Sequence, residues 1–524
     1  MALVLDGYYS TIGGLRILLV STPNEHNLVQ THLQESKTLN PGAGIKSQPL
    51  NESSPMARRN KVCQVVCSSE GATWMFEQLR DLRDQYGYEV TAVVSAEQGK
   101  LIDKLRSENI PYHVTHFATG GVSLRAILRL PVSVLKLARF FRRERFDIVQ
   151  SHVFATAITA RPAAWLADVP VRLAMIASPF HLQARLSRDL ELATCWMETK
   201  LIPSCQAVLN LCREIGISEG RLAPIIYYAP DERNFDPDSV SPAGIRRQFG
   251  WPQDTPLICK VAYFYHRMGT SDWIPPDVHG LGHKGHEDLV KAAPVVLAEF
   301  PNAKFLLIGA GWGPEGEKHM QEVKDLVRSM GLQSSVIFTG YRADANRILR
   351  EATVAVHASL NENLGGTLEA LMIGCPMVAT RVGGMVDAVR DGETGVLVNP
   401  SDPCDLARGI TQLLRDPERA QALGRGGRKL MLERFTLNRT VNDLANLYQQ
   451  LLSESQQRRK FYNSLISVLR LLAGYLIFLY QVFRLLVSRI RRYLPSARAS
   501  REVSTRLHPV PTGTFTRESH RIQL

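Results

Sequence analysis

Two glutamates seven residues apart, Glu362 and Glu369, bracket a Gly-Gly pair in Ser359-Leu-Asn-Glu-Asn-Leu-Gly-Gly-Thr-Leu-Glu-Ala-Leu-Met-Ile-Gly-Cys-Pro. The stretch reads as a strand end, a loop, and a helix closed by Gly374 and Pro376. Gly365 and Gly366 let the backbone approach a ligand closely. With Asn363 and Thr367 they lie where free N–H groups at a helix start favour a diphosphate. Glu362, in the loop, is unsuited to phosphate and suited to accepting hydrogen bonds from sugar hydroxyls. Glu369, inside the helix, can hold a ribose by its two hydroxyls. A surface carboxylate beside a capping turn is the plainer reading of the same residues.

Further residues fit the same chemistry. Lys284, in His283-Lys-Gly-His286, precedes a helix. A cation there is electrostatically poor on its own, so an anionic partner is expected. Arg267 is a second cation upstream, separated from Lys284 by an apparent insertion, Met268 to Gly282. Positive charge at these points would stabilise a departing diphosphate. His279, His283 and His286 have only Asp277 as an acidic neighbour, so no metal site is expected. His152 follows the strand-like run Phe146–Gln150, where a histidine can accept a proton at neutral pH; His181 is a second such candidate. Gly311 and Gly340 sit in glycine-bearing loops after apolar runs, where tight turns are the alternative reading. No GxxxxGK[ST] phosphate loop is present, which argues against an ATPase.

The elements that must position these residues alternate. From Lys61 onward short apolar runs alternate with helical periods, the pattern of a parallel sheet with crossover helices. Prolines 237, 242 and 252 interrupt it, and a second alternating series begins at Leu257. The expected division is an extension and linker over 1–60, with a strand from Leu15, then one Rossmann-like domain over 61–240 and a second over 250–435. A helix over 436–455 packs back. In such sheets ligands bind beyond the carboxyl ends of the strands, so two facing domains make one cleft.

These residues resemble the two-glutamate donor motif of the retaining glycosyltransferases of family four, which have the GT-B fold. The glutamates stand one residue closer than in the commoner form, as in an Asn-Gly-Gly subgroup. The likeness continues through Arg381-Val-Gly-Gly-Met-Val-Asp and Asp391-Gly-Glu-Thr-Gly-Val-Leu-Val and covers most of residues 61–454. It implies a nucleotide-sugar donor and no metal or other cofactor. It implies that Glu369 holds the ribose and Glu362 touches the donor sugar, while Lys284 and Arg267 neutralise the diphosphate. The loop of Gly311 would lie near the nucleotide and that of Gly340 beside the base. His152 would enter the cleft near the acceptor. The resemblance also implies attack on the leaving-group face, without a covalent nucleophile. A sugar epimerase or phosphorylase on the same fold, or a non-catalytic membrane scaffold, are the rival readings.

Charge points to where the reaction takes place. The chain of 524 residues carries a net charge of +12, and 456–524 alone holds 13 basic residues against Glu502 and Glu518. The rest is close to neutral, so a general nucleic-acid-binding surface is not expected. Leu471 to Phe483 is apolar but too short to span a bilayer. Its polar positions recur every three or four residues, which predicts a basic amphipathic helix over 456–494 lying on an anionic membrane. Residues 495–524 read as disordered. A second basic helical region holds Arg125, Arg129, Lys136, Arg139, Arg142, Arg143 and Arg145. The N-terminus lacks a basic start, so no signal peptide is expected. Eight cysteines in no dense framework suit free thiols in a reducing cytosol. The expected location is the cytoplasmic face of the cell membrane, with a lipid-linked or saccharide acceptor.

Overall fold

The computed structural model describes residues 9–12, 15–18, 58–117 and 124–458, with single positions at 472, 476, 480 and 483. The helix expected over 456–494 and the tail 495–524 lie almost wholly outside these residues. The first 58 residues form a unit of their own. It contains β1 (Tyr9–Ile12) paired antiparallel with β2 (Leu15–Leu18), a pair where the sequence reading expects one strand.

The remaining chain holds two six-stranded sheets. The first comprises β3 (Lys61–Val65), β4 (Glu89–Val94), β5 (Tyr112–Val114), β6 (Ile148–His152), β7 (Val171–Ile176) and β8 (Lys200–Pro203). The second comprises β9 (Leu257–Val261), β10 (Lys304–Ile308), β11 (Val336–Gly340), β12 (Val354–His357), β13 (Met377–Thr380) and β14 (Val396–Val398). Spatial order is β5-β4-β3-β6-β7-β8 in one and β11-β10-β9-β12-β13-β14 in the other. Every pairing between named strands in both sheets is parallel. This is the doubly wound order twice over, with crevices at β3/β6 and at β9/β12. Helices cover both faces, so the strands are near-continuous apolar runs; β7 is buried at all six positions.

The segment after the first domain is claimed by the second. Ile245 lies in the second core, and Glu351 accepts from the Ile245 backbone N–H at 3.1 Å. The chain then returns. The helix Leu437–Arg458 places Leu437, Val441, Leu444 and Tyr448 in the core of the first domain, against Met75, Leu79 and Leu82. Tyr448 is fully buried, and its hydroxyl donates to Gln150 Oε1 at 2.6 Å. A buried acceptor left without its donor costs about 1–3 kcal/mol. Tyr448→Phe should therefore lower stability by about that amount in a denaturant titration.

Candidate functional site

The site forms where β9 and β12 end. After β12 the chain runs through Ala358 and Ser359 to Glu362, then into the short helix Thr367–Met372. Gly285, just after Lys284, has φ +65°, and a Cβ there would strike the Ala358 carbonyl. The two loops therefore approach as closely as backbones allow, which only glycine permits at that φ. The approach brings Lys284 Nζ into an ion pair with Glu362. Glu362 also accepts from the Asn363 backbone N–H at 3.1 Å and from Ser359 Oγ at 3.4 Å, and His357 Nε2 stands 3.5 Å away. Burial alone would raise its pKa, but Lys284 and His357 hold the carboxyl well below the usual range. Glu362 is thus a fixed anion. Burial lowers His357 to about 4, so it is neutral.

Glu362 and Glu369 line one cavity of about 440 Å³. Its opposite wall comes from the first domain: Trp74 and Glu77 on the helix Thr73–Tyr86, and Tyr228 in the segment between the domains. Burial, reinforced by Glu77, pushes Glu369 up to about 7. Asn363 and Gly365 line the cavity as well. Thr367 is fully buried with an unpartnered Oγ1. Gly366 lies close under the Val261 carbonyl. Lys284 reaches this cavity through Glu362 rather than by lining it.

Arg267, His152, Gly311 and Gly340 are placed outside the lining of the Glu362–Glu369 cavity. Arg267 does not face the Glu362–Glu369 cavity. Its guanidinium pairs with Glu287 at 3.0 Å and Glu322 at 2.7 Å, and it lines a different hollow with Leu281, Asp288 and Lys291. Glu287 is also held by His319 at 2.9 Å, which fixes that arrangement. The Met268–Gly282 insertion is packed down: Met268 and Val278 are buried, and the Asp272 carbonyl accepts from Leu186 N of the first domain at 3.0 Å.

His152 is fully buried behind Trp74 and Tyr228. Its Nδ1 is 2.9 Å from the Tyr228 hydroxyl and its Nε2 is 3.3 Å from Gln150. Burial lowers its pKa to about 3, so it stays neutral and is a weak base. It braces the wall residue Tyr228 instead. His181 is likewise buried, near Glu191 in an ion cluster with Arg161.

Gly311 and Gly340 do not line the cavity. Gly311 is a tight turn against Glu317, and Gly340 closes β11 with φ +70°. Their neighbours carry the chemical surface. Tyr263, Tyr265, Trp312 and Tyr341 cluster at the ends of β9, β10 and β11, with ring centroids 5.0–6.4 Å apart. The first domain meets this cluster through Gly71 against Trp312 and Lys100 Nζ 3.7 Å above the Tyr341 ring. The sequence reading missed these aromatics, Trp74 and Glu77. The available signal was an aromatic at the carboxyl end of three successive strands.

Two parallel α/β domains enclosing this cleft define the GT-B class. The fold is that of the Anabaena Alr3699/HepE crystal structure in complex with UDP and glucose, at TM-score 0.60 and 19% identity over 75% of this chain and all of that one. The family model "Glycosyl transferases group 1" matches residues 279–430, and "Glycosyl transferase 4-like domain" matches 70–227. The chain belongs to the group 1 glycosyltransferases. It is 35% identical over 178 residues to the D-inositol 3-phosphate glycosyltransferase of Acidothermus cellulolyticus, covering 33% of this chain and 39% of that relative. To the enzyme of the same name from Thermobispora bispora it is 27% identical over 339 residues, covering 61% of this chain and 74% of that relative. The chain thus spans about two fifths of the first relative's length.

Proposed function

We propose that this glycosyltransferase retains the donor sugar's configuration and transfers it from a nucleoside diphosphate to a lipid-linked or saccharide acceptor at an anionic membrane. The reading is carried by one arrangement: the Lys284–Glu362 pair, with Glu369 on the same cavity. The donor diphosphate draws Lys284, whose charge offsets the negative charge that develops as the sugar leaves. Glu362, ionised and freed on one side, accepts from a sugar hydroxyl. Glu369 accepts from the ribose. The acceptor enters from the wall of Trp74, Glu77 and Tyr228. No side chain stands as a covalent nucleophile in this reading, and no metal is needed, because Lys284 supplies the cation.

Two surfaces support membrane action on the cytoplasmic side. The four described tail positions, Leu472, Leu476, Tyr480 and Phe483, are helical, exposed and spaced by four, four and three. That spacing puts four large apolar side chains on one helix face. In the first domain the helix Leu124–Glu144 exposes Val132 and Leu135 among Lys136, Arg139 and Arg143. No helix among the described residues is long and apolar enough to cross a membrane.

The test is incubation of the protein and vesicles with UDP-, GDP- and ADP-sugars and a panel of lipid-linked and saccharide acceptors. Sugar transfer with retained configuration is the expected result. Epimerisation or phosphorolysis without transfer rejects the reading. Flotation with anionic but not neutral vesicles is expected; equal recovery with both rejects the membrane component.

A further inference from the structure

Beside the Glu362–Glu369 cavity lies a further hollow between the two domains, of about 400 Å³. That size is within the range of small-ligand sites, about 300–1,000 Å³. The two hollows follow one another on both walls. In the first domain Ala177 lines the cavity and Pro179 the further hollow. In the second domain Glu362 lines the cavity and Asn361 the further hollow. A molecule longer than one sugar ring, seated beside Glu362, can therefore extend into it.

The residues there are set out for hydrogen bonding. Asn361 is 9% exposed, and its Nδ2 donates to Gln183 Oε1 of the first domain at 2.6 Å. Its Oδ1 is buried without a hydrogen-bond partner. Turning the amide over changes which polar atom is left, not that one is left. A buried polar atom without a partner is costly, and a ligand hydroxyl would answer it. Asp277 comes from the Met268–Gly282 segment, on the turn Pro276–Val278. That turn is held in place, because Val278 is buried and His279 Nε2 is 2.9 Å from the Ile274 carbonyl. The same segment meets the first domain just past Gln183, where Leu186 N donates to the Asp272 carbonyl at 3.0 Å.

Among the described residues the lining holds one cation, Arg381, and it already pairs with Asp391 at 3.2 Å. With Asp277 in the same lining, the hollow offers no net positive charge to a phosphate. It offers instead a carboxylate, two amides, a guanidinium and the Ser401 hydroxyl, donors and acceptors together. A sugar ring carries hydroxyls on adjacent carbons, each both donor and acceptor, and this set answers them.

We propose that this hollow is a saccharide subsite, which binds one pyranose unit of the acceptor, the unit next to the one that receives the transferred sugar. Through Asp277, the Met268–Gly282 segment makes the protein selective for acceptors of two or more sugar units. The subsite rests on the saccharide-acceptor reading given above.

The full chain applied to an array of saccharides of one to four units (hexoses, N-acetylhexosamines, deoxyhexoses and uronic acids) tests this. Binding to at least one series should strengthen about tenfold from one unit to two. Asp277→Ala and Gln183→Ala change exposed residues on separate elements, so both should fold as wild type. Each should weaken binding of two-unit saccharides about five- to tenfold, the effect of one lost hydrogen bond. In transfer assays the preference in kcat/KM for two-unit over one-unit acceptors should fall by a similar factor. An array without binding, or variants that bind as wild type, overturns the subsite. If saccharides accept sugar while both variants keep wild-type binding and preference, the subsite fails and the acceptor reading stands. If the variants lose saccharide binding but no saccharide or lipid-linked saccharide accepts sugar, the acceptor reading fails, and the hollow is a saccharide site without that role.

Discussion

Lys284→Met will lower turnover about a thousandfold, in a donor-consumption assay at saturating donor and acceptor. Lys284 is the ion-pair partner of Glu362, and in the proposed reading the leaving group forms beside it. Removing one preorganised donor to a developing oxyanion costs about 3–4 kcal/mol, or roughly 10²–10³ in rate. The same substitution leaves Glu362 buried without its partner, which threatens the fold as well. Lys284→Met/Glu362→Gln separates the two effects. The neutral pair should melt close to wild type, while turnover stays at the level of the single variant. Recovery of turnover in the double variant would contradict this role for Lys284.

Nucleotide affinity will rise with pH through about 7 and level off above 8. In the proposed reading Glu369 accepts from both ribose hydroxyls as a carboxylate, and burial with Glu77 opposite pushes it from its ordinary 4.5 to about 7. Glu369→Gln should bind roughly a hundredfold more weakly at pH 8, since a hydrogen bond to a charged group contributes about 1.5–3 kcal/mol. Its affinity should lack the inflection near 7. Stability has the opposite slope. The folded chain holds the Glu369 proton up to about pH 7, whereas the unfolded chain releases it near 4.5. This contribution to stability is full below 4.5 and is lost as pH rises through 7. An affinity profile in Glu369→Gln that matches wild type would remove Glu369 from the nucleotide site.

Local pattern made much of this site readable. The Gly-Gly turn between two carboxylates and the Lys-Gly before a helix are short-range features, and the fold brings Lys284, Glu362 and Glu369 to adjoining positions. The direction of Arg267 was not legible, because it is set by Glu287 and Glu322, and no spacing rule links those residues to it. The burial of His152 was hidden for a related reason. Its place at a strand end is local, but its burial depends on Trp74 and on Tyr228, which the chain reaches only after two more strands. Strands β7, β8 and β14 were overlooked: β7 is buried throughout and lacks alternation, and β8 and β14, at four and three residues, are too short to show a period.

The return of the helix Leu437–Arg458 to the first domain has a mechanical meaning. The polypeptide passes between the halves twice, so two chain crossings, not one, tether them to each other. The helix Leu437–Arg458 lies on the half that carries Trp74 and Glu77. In the proposed reading, a membrane held by the basic segment that follows tethers that half directly and the half that carries Lys284 and Glu369 only through it.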